Sequence, residues 1–389
     1  MPPTTEHLGV DGPKSADIER FSAHQHCVDG PKTPDRVEFS ARQRRAAEEL
    51  ERLRLRAPSR VANASRNAQA GFDRHRRWAP ARDALWEFLA PHLEEGARVA
   101  IVGAGNGDDL PLRRIARRAG AVTLIDLDPS AARGARRRLG RAERRKVAVI
   151  GHDVTDGEAD AVVLATLDEL SGSAADTAVL ATLEGVVRSG AEDLVPETLD
   201  EDRSAPDTVG LPHPTCKSGG EGRPLSSPPR DPLPGAPYDL VIGDLLYSQL
   251  LYPALLDLGV EPTRRDDVLS RHSPSLTRAV VARLHASAPR VVHLHDPLAW
   301  WDGHEQPISL DEILTRAAID GPDAAVALAG QANGPRESDP RPALDDLGLT
   351  PTATTLWRWP FAPGVDYLTC ATLADWAASA PGLWRIPAE

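Results

Sequence analysis

One short stretch, Val99-Ala-Ile-Val-Gly-Ala-Gly-Asn-Gly-Asp-Asp109, constrains the fold of this chain more than any other. Three branched aliphatics among the four residues Val99–Val102 lead directly into a glycine-rich turn, and the segment from Leu110 to Arg118 has a helical pattern. A buried parallel strand, a tight turn and a helix N-terminus placed in that order aim backbone N–H groups and a helix dipole at a ligand. Glycine spacing separates the kinds of turn that do this. A dinucleotide turn carries G-x-G-x-x-G, whose third small residue lets helix and strand pack closely. Here Gly103, Gly105 and Gly107 follow G-x-G-x-G, and Asp108 stands where the third dinucleotide glycine would be.

Composition narrows the partners. With 389 residues, 41% of them hydrophobic, the chain can build one large domain or two modest ones. A net charge of −12 argues against a general nucleic-acid binder, although arginine-rich runs occur at Arg42–Arg60 and Arg74–Arg82. The excess of arginine over lysine, with abundant alanine, reads as the coding bias of a GC-rich genome. Cys27, Cys216 and Cys370 lie far apart with no metal-ligand spacing. The N-terminus lacks the basic start and apolar core of a signal peptide, and no apolar run approaches the ~20 residues of a membrane helix. A cytoplasmic protein without a membrane partner is the expectation.

Along the chain, residues 1–40 are polar and nearly duplicated, Val10–Ala23 against Val28–Ala41. Two polar copies are too few to stack into a repeat fold, so a disordered tail is expected, with Phe21 and Phe39 as the anchors if the copies instead dock on a partner. Residues 41–96 read as a helical cap. It would hold a helix from Ala41 to Arg56, a linker through Pro58, and a helix from Pro80 with Leu85, Leu89 and Leu93 inward and Gly96 at its end. Between them Asn67, Phe72, His75 and Trp78 either fold over a pocket or belong to a solvated helix docked through Phe72 and Trp78.

From Val99 onward strands and helices alternate, which predicts a parallel sheet. The expected strands are Val99–Val102, Ala121–Ile125, Lys146–Ile150, Tyr238–Ile242 and Arg290–Leu294, followed by two more at about 354–359 and 366–373 joined by a Pro-Gly turn. Helices are expected over Leu110–Ala119, over Pro129–Leu139, from Pro274 with Leu276, Val280 and Leu284 inward, and after a Ser309–Glu312 capping box. An interruption over 156–237 holds an echo, Asp160–Asp168 and Asp176–Glu184, read as two short amphipathic helices. Residues 196–237 are rich in Pro, Gly, Ser and acidic side chains and are expected to be disordered.

Acidic residues recur where these strands end. Asp126 closes strand two, about 20 residues past the glycine turn, where a carboxylate binds the hydroxyls of a ribose. Asp128, two residues on, suits the cap of the next helix. Asp153 follows strand three, and Asp244 follows strand four at the same carboxyl edge.

In that order, with G-x-G-x-G after strand one, these residues resemble the class I S-adenosylmethionine (SAM)-dependent methyltransferases. The resemblance covers Val99–Ile150 well and Tyr238 to the C-terminus more loosely. It implies an α/β fold, a Rossmann-like doubly wound seven-stranded sheet in the order 3-2-1-4-5-7-6 with the last strand antiparallel, here behind an N-terminal helical cap. Residues 97–389 would form the SAM-binding domain. Its cofactor contacts would be Gly103, Ala104, Gly105, Asn106, Gly107, Asp108, Asp126, Leu127, Asp153, Val154 and Asp244, with Asp153 accepting from the adenine amine. The reaction would move a methyl group to an O, N or C centre of a small molecule, with Asp244, Tyr247 and His295 as candidates for proton handling.

His293 and His295 share a strand face, but His-x-His-Asp has no further ligand set, so no metal is expected. Asp244-Leu-Leu-Tyr247 lacks the prolines of nucleobase amino-methylating enzymes, and the Gly-Gly-Gly-Asp-Gly of aminopropyltransferases is absent. Trp300, Trp301, Trp357 and Trp359 either line an acceptor pocket or pack the core. The alternatives are a protein side chain as acceptor and a non-catalytic SAM- or nucleotide-binding module. An NAD-dependent oxidoreductase is disfavoured by Asp108.

Overall fold

Short aliphatic runs with no polar alternation must be covered on both faces, and parallel pairing between helices achieves that. In the computed structural model β1 (Arg98–Val102), β2 (Ala121–Asp126), β3 (Val147–Gly151), β4 (Leu240–Gly243) and β5 (Arg290–Trp301) are all parallel. The long hairpin of β6 (Pro351–Ala362) and β7 (Val365–Asp375) adds to β5 through antiparallel β7. The order is 3-2-1-4-5-7-6, as the resemblance implied. Val99 lies between Val122 of β2 and Leu240 of β4, so the glycine turn after β1 emerges at the centre of the carboxyl edge.

The structure describes residues 52–54, 56–69, 73–172, 231–301, 303, 306–333 and 339–375, all within a unit spanning 49–389. The duplicated N-terminal segment, most of the helix expected from Ala41, Phe72, the second echo copy and the stretch 196–230 lie outside the described residues. No helix among those described is long and apolar enough to cross a membrane.

Alternate residues of each strand feed two cores. Val99, Ile101, Val122, Leu124, Leu240 and Ile242 enter one, covered by α3 (Ala79–Leu89), α4 (Leu112–Arg118) and α5 (Pro129–Arg137). Leu85, Leu89 and Leu93 are all fully buried there, each stabilising by about 1.5–3 kcal/mol. Ala100, Val102, Ile125, Val241 and Val291 enter the other core. It is covered by α7 (Glu158–Gly172), α8 (Tyr252–Asp257), α9 (Pro262–Ser287) and α12 (Arg341–Asp346), with Ala62 of α1 (Pro58–Ala68) against it. The short α2 (Arg74–Arg77) precedes α3, and α6 (Arg141–Arg145) precedes β3. A third, smaller cluster joins α10 (Leu310–Asp320) and α11 (Pro322–Asn333) to the far end of β5 and β7.

Several expectations shift. Pro58, expected in a linker, is the first residue of α1, where its missing N–H is not needed. The helix expected to start at Pro274 starts at Pro262 and runs 26 residues straight through Pro274. An interior proline costs roughly 3 kcal/mol, and burial of Val268 before it and Leu276, Val280 and Leu284 after it offsets that. β5 extends seven residues beyond Leu294, because its continuation pairs with β7 past a register shift at His295–Leu298. The first echo copy lies in a single helix, α7. Ser309 caps α10 as expected, its hydroxyl accepting from the Glu312 N–H at 3.2 Å.

Candidate functional site

The glycine turn is shaped by close approach of backbones. Gly103 has φ +81°, and a Cβ there would stand 2.8 Å from the Asp244 carbonyl oxygen, so β1 and β4 can leave the sheet this close together only with glycine. Gly105 also has a positive φ, and its N–H donates to Asp126 Oδ2 at 2.7 Å. Ala104 between them is buried.

Asp126, at the end of β2, is 3% exposed and accepts three hydrogen bonds. Besides Gly105, the Asp128 N–H donates to Oδ1 at 2.7 Å and Asn63 Nδ2 to the same oxygen at 3.1 Å. Desolvation raises its pKa, and the backbone donors Gly105 and Asp128 pull it back. Asp128 caps α5 through the N–H groups of Ser130 and Ala131, and its other oxygen accepts from Asn67 Nδ2 at 3.1 Å. Asn63 and Asn67 stand four apart on α1, so their amides share one side of the helix and rest on the two carboxylates. Asn106 closes the contact, donating through Nδ2 to the Asn67 carbonyl at 2.8 Å. Leu127, half-buried, lies between the two acids.

Asp108 is buried and turned toward the cap. Arg138 Nη2 lies 3.0 Å from its carboxylate, His75 Nδ1 3.7 Å and Arg74 Nε 3.8 Å, and Arg82 holds its carbonyl. Asp109 behaves differently. Desolvation pushes its carboxyl up to about 6, with Asp108 adding to the rise and Arg74 and Arg82 opposing it. Across the turn, Asp244 is 4% exposed and its Oδ1 has no hydrogen-bond partner among the described residues. Burial, then the charges of Asp109 and Asp126, push its carboxyl well above the usual range. The next residue, Leu245, has φ +48°, an uncommon left-handed conformation for a branched side chain.

Asp153 and Val154 lie in the loop after β3. Both Asp153 oxygens are engaged by that loop: Thr155 donates to Oδ1 from N–H at 2.8 Å and from Oγ1 at 2.7 Å, and Gly157 N–H to Oδ2 at 2.8 Å. The Val154 carbonyl accepts from Arg283 Nη1 at 2.7 Å.

Beneath Asp244, Tyr247 Oη lies 2.5 Å from His293 Nδ1, whose Nε2 lies 3.1 Å from His285 Nε2. Gly243 leaves room for this chain, since a Cβ there would touch Leu246 and Leu284 at 3.0 Å and the Tyr247 hydroxyl at 3.5 Å. Burial raises the Tyr247 pKa and lowers those of the histidines, His285 to about 3, so all three are neutral. His295, fully buried, is directed to another place: its Nε2 lies 3.6 Å from Asp339, which Arg341 also engages. Desolvation lowers the His295 pKa to about 4 despite that carboxylate.

Trp359 meets the cap edge-on, its ring 4.6 Å from that of Trp78, with Phe361 stacked on Trp78 and edge-on to Trp359 and Tyr367. Trp300 donates to the Ile308 carbonyl at 3.1 Å, Trp357 is partly buried against the core of α3–α5, and Trp301 is exposed. Among the described residues no group of three or more His, Cys, Asp or Glu could hold a metal ion.

The structure thus brings Gly103–Asp108, Asp126, Leu127 and Asp244 together, with Asp153–Val154 in the neighbouring loop, Tyr247 below and His295 apart. Sequence reasoning overlooked Asn63 and Asp109. The four-residue spacing of Asn63 and Asn67 was the available signal for the first.

No protein-family model matches the chain, and no curated protein matches it. Solved structures do. A magnesium protoporphyrin IX methyltransferase from Synechocystis PCC 6803 with bound SAM is 13% identical, covering 81% of this chain and 96% of its own, with a TM-score of 0.34. A SAM-dependent methyltransferase from Aquifex aeolicus is 13% identical over 80% of this chain and 98% of its own, with a TM-score of 0.29. A cyclopropane-fatty-acyl-phospholipid synthase-like protein from Lactobacillus casei ATCC 334 is 12% identical over 79% and 94%, with a TM-score of 0.35. All three TM-scores lie below 0.5, so these likenesses say nothing about acceptor or chemistry.

Proposed function

We propose that the chain is a SAM-dependent methyltransferase acting on a small molecule. Asp126 carries the reading. Two backbone donors fix this buried carboxylate at the end of β2, and its third donor is a side-chain amide of α1 that a ribose hydroxyl can replace. The unpartnered Oδ1 of Asp244, across a turn too tight for any Cβ at Gly103, fits a donor group of a ligand lying on that turn.

In this reading Gly103–Gly107 pass beneath the amino-acid portion of SAM, Asp126 takes the ribose, and Asp153 offers a remaining lone pair to the adenine amine. Bound SAM supplies a methyl group already activated by its sulfonium charge. The protein's own task is to hold the acceptor in line and exclude water. In this reading Asp244, its carboxyl raised by burial, would hydrogen-bond the acceptor, and its ionised form would take the proton that the acceptor loses.

Calorimetry with SAM, S-adenosylhomocysteine and NAD tests the reading. SAM and its product should bind and NAD should not, and Asp126→Ala should weaken SAM about 100-fold. Unchanged affinity in that variant removes the ribose assignment, and binding of NAD alone removes the reading. Release of S-adenosylhomocysteine with the small-molecule fraction of a cell extract is the expected turnover. Turnover only with the protein fraction moves the acceptor to a side chain, and tight binding without turnover on any fraction makes the chain a binding module.

A further inference from the structure

The net charge of the whole chain conceals a strongly basic face. Between Leu112 and Lys146 the sequence carries twelve arginine or lysine residues against three acids, a balance of +9 in a chain of −12. Helices α4 and α5 bury Ile115, Ala116, Ala132 and Ala135 on the sheet, so their arginines and those of α6 point outward. Some of these cations hold the fold. Arg144 donates to the carbonyls of Arg137 and Leu139 at the end of α5, Lys146 to those of Arg117 and Ala119 beyond α4, and Arg117 pairs with Glu143 at 3.0 Å.

Arg113, Arg118, Arg133, Arg137, Arg141 and Arg145 are exposed and make no side-chain hydrogen bond or ion pair among the described residues. Beside the glycine turn this face opens into a cleft of about 410 Å³ lined by Arg82, Arg113, Arg114, Arg117, Arg138 and His75. Asp83 neutralises Arg114 at 2.8 Å, Asp108 Arg138 at 3.0 Å and Glu143 Arg117 at 3.0 Å, leaving Arg82 and Arg113 as the cleft's excess positive charge. On the opposite face of the sheet, α7 carries four acids and no basic residue.

We propose that this face and its cleft bind the phosphate backbone of a nucleic acid. Guanidinium groups take phosphate oxygens in pairs, and cations spread over three helices suit a chain of phosphates better than one small anion. At physiological salt charges are screened within about 8 Å, so acids on the far side of the molecule do not cancel this patch. An anionic membrane fits less well. Surface helices that enter lipid present large apolar side chains, and none of the exposed ones here, such as Tyr252, Trp301 and Phe361, lies between Leu112 and Lys146. The proposal does not depend on the methyltransferase reading, because a nucleic acid can be held whether or not it receives a methyl group.

Fluorescence anisotropy of the full chain with a labelled single-stranded RNA and a duplex DNA of about 20 nucleotides or base pairs, at low and physiological salt, tests it. The variant Arg113→Gln/Arg118→Gln/Arg137→Gln/Arg141→Gln/Arg145→Gln should lose at least about tenfold in affinity at low salt. Its log–log salt slope should fall by about 3. The same five positions changed to lysine should retain binding, and Arg271→Gln/Arg278→Gln on α9 should bind like the wild type. If the five-site glutamine variant does not fold, Arg141→Gln/Arg145→Gln is read instead, with about a threefold loss expected. Absence of binding at low salt, equal losses in the α9 control, or arginine-dependent binding to phosphatidylserine vesicles without nucleic-acid binding overturns the proposal. SAM calorimetry on the same variant reads the cofactor site separately.

Discussion

The two halves of the sheet's carboxyl edge differ in how many hydrogen-bond donors meet their buried polar side chains. Over β1 and β2, Asp126 and Asp128 are buried or half-buried yet well supplied with donors from backbone and from α1. Over β4 and β5, Asp244, Tyr247, His293 and His295 are buried with few donors or none, and burial drives each toward its neutral form. What separates the halves is the supply of N–H groups, since desolvation acts on both. The first half suits recognition of a polar ligand. The second suits a water-excluded reaction in which a proton is held or moved.

The largest effect expected from this contrast is acid instability arising in the second half. Unfolded imidazoles take up protons near pH 6.5, whereas folded His285 does so only at about 3 and His295 at about 4. As pH falls below 6.5 the unfolded chain therefore binds protons that the folded chain refuses. Stability should drop by up to roughly 1.4 kcal/mol per pH unit for each such histidine. Chemical denaturation at pH 7 and pH 5 measures this, and equal stability at both would erase the difference between the halves.

Asp244 has the opposite sign. The folded chain keeps a proton that the unfolded one releases above pH ~4, so its contribution falls as pH rises. Asp244→Asn should therefore be more stable than the wild type at pH 8, by at least about 1 kcal/mol, with no gain at pH 4. The first half should answer mainly in binding: Asp126→Ala is expected to remove about 3 kcal/mol of SAM affinity while changing the acid transition little.

Next in size is the seam between the halves. Gly103→Ala combines a φ of +81° with a Cβ 2.8 Å from the Asp244 carbonyl, and Gly96 has φ +80° with nothing within 4 Å. Denaturation curves should show a loss of about 2–3 kcal/mol for Gly103→Ala and about 1 kcal/mol for Gly96→Ala. Equal losses would mean that close approach plays no part at the seam. The smallest effect is expected at Asn63. Removing its amide with Asn63→Ala should tighten SAM binding about threefold, because a competing donor to Asp126 is gone. Tenfold weaker binding would show that the amide holds the ligand instead.

How far the sequence disclosed this arrangement depended on range. The aliphatic run Val99–Val102, the three glycines and the acids closing β2, β3 and β4 are local patterns, and each appears in the structure where the spacing placed it. Pro274 misled because a proline inside a helix and one opening a helix look alike locally, and only the burial of Val268 on the preceding turns tells them apart. His293 and His295 looked equivalent on one strand face. Their different partners, Tyr247 with His285 for the first and Asp339 for the second, come from elements up to 46 residues away.

By itself the sequence determined the alternation of strands and helices, the class of turn after β1 and the order of acids along the sheet edge, because side-chain period, glycine spacing and strand ends are properties of short segments. Only the tertiary structure decided how many donors meet each of those acids, that Asn63 and Asn67 rest on Asp126 and Asp128, and that the arginines of α4–α6 gather on one face of an acidic chain. Donor supply, desolvation and screened charge all depend on what stands within a few ångströms in space, and neighbours at that distance are set by folding rather than by position along the chain.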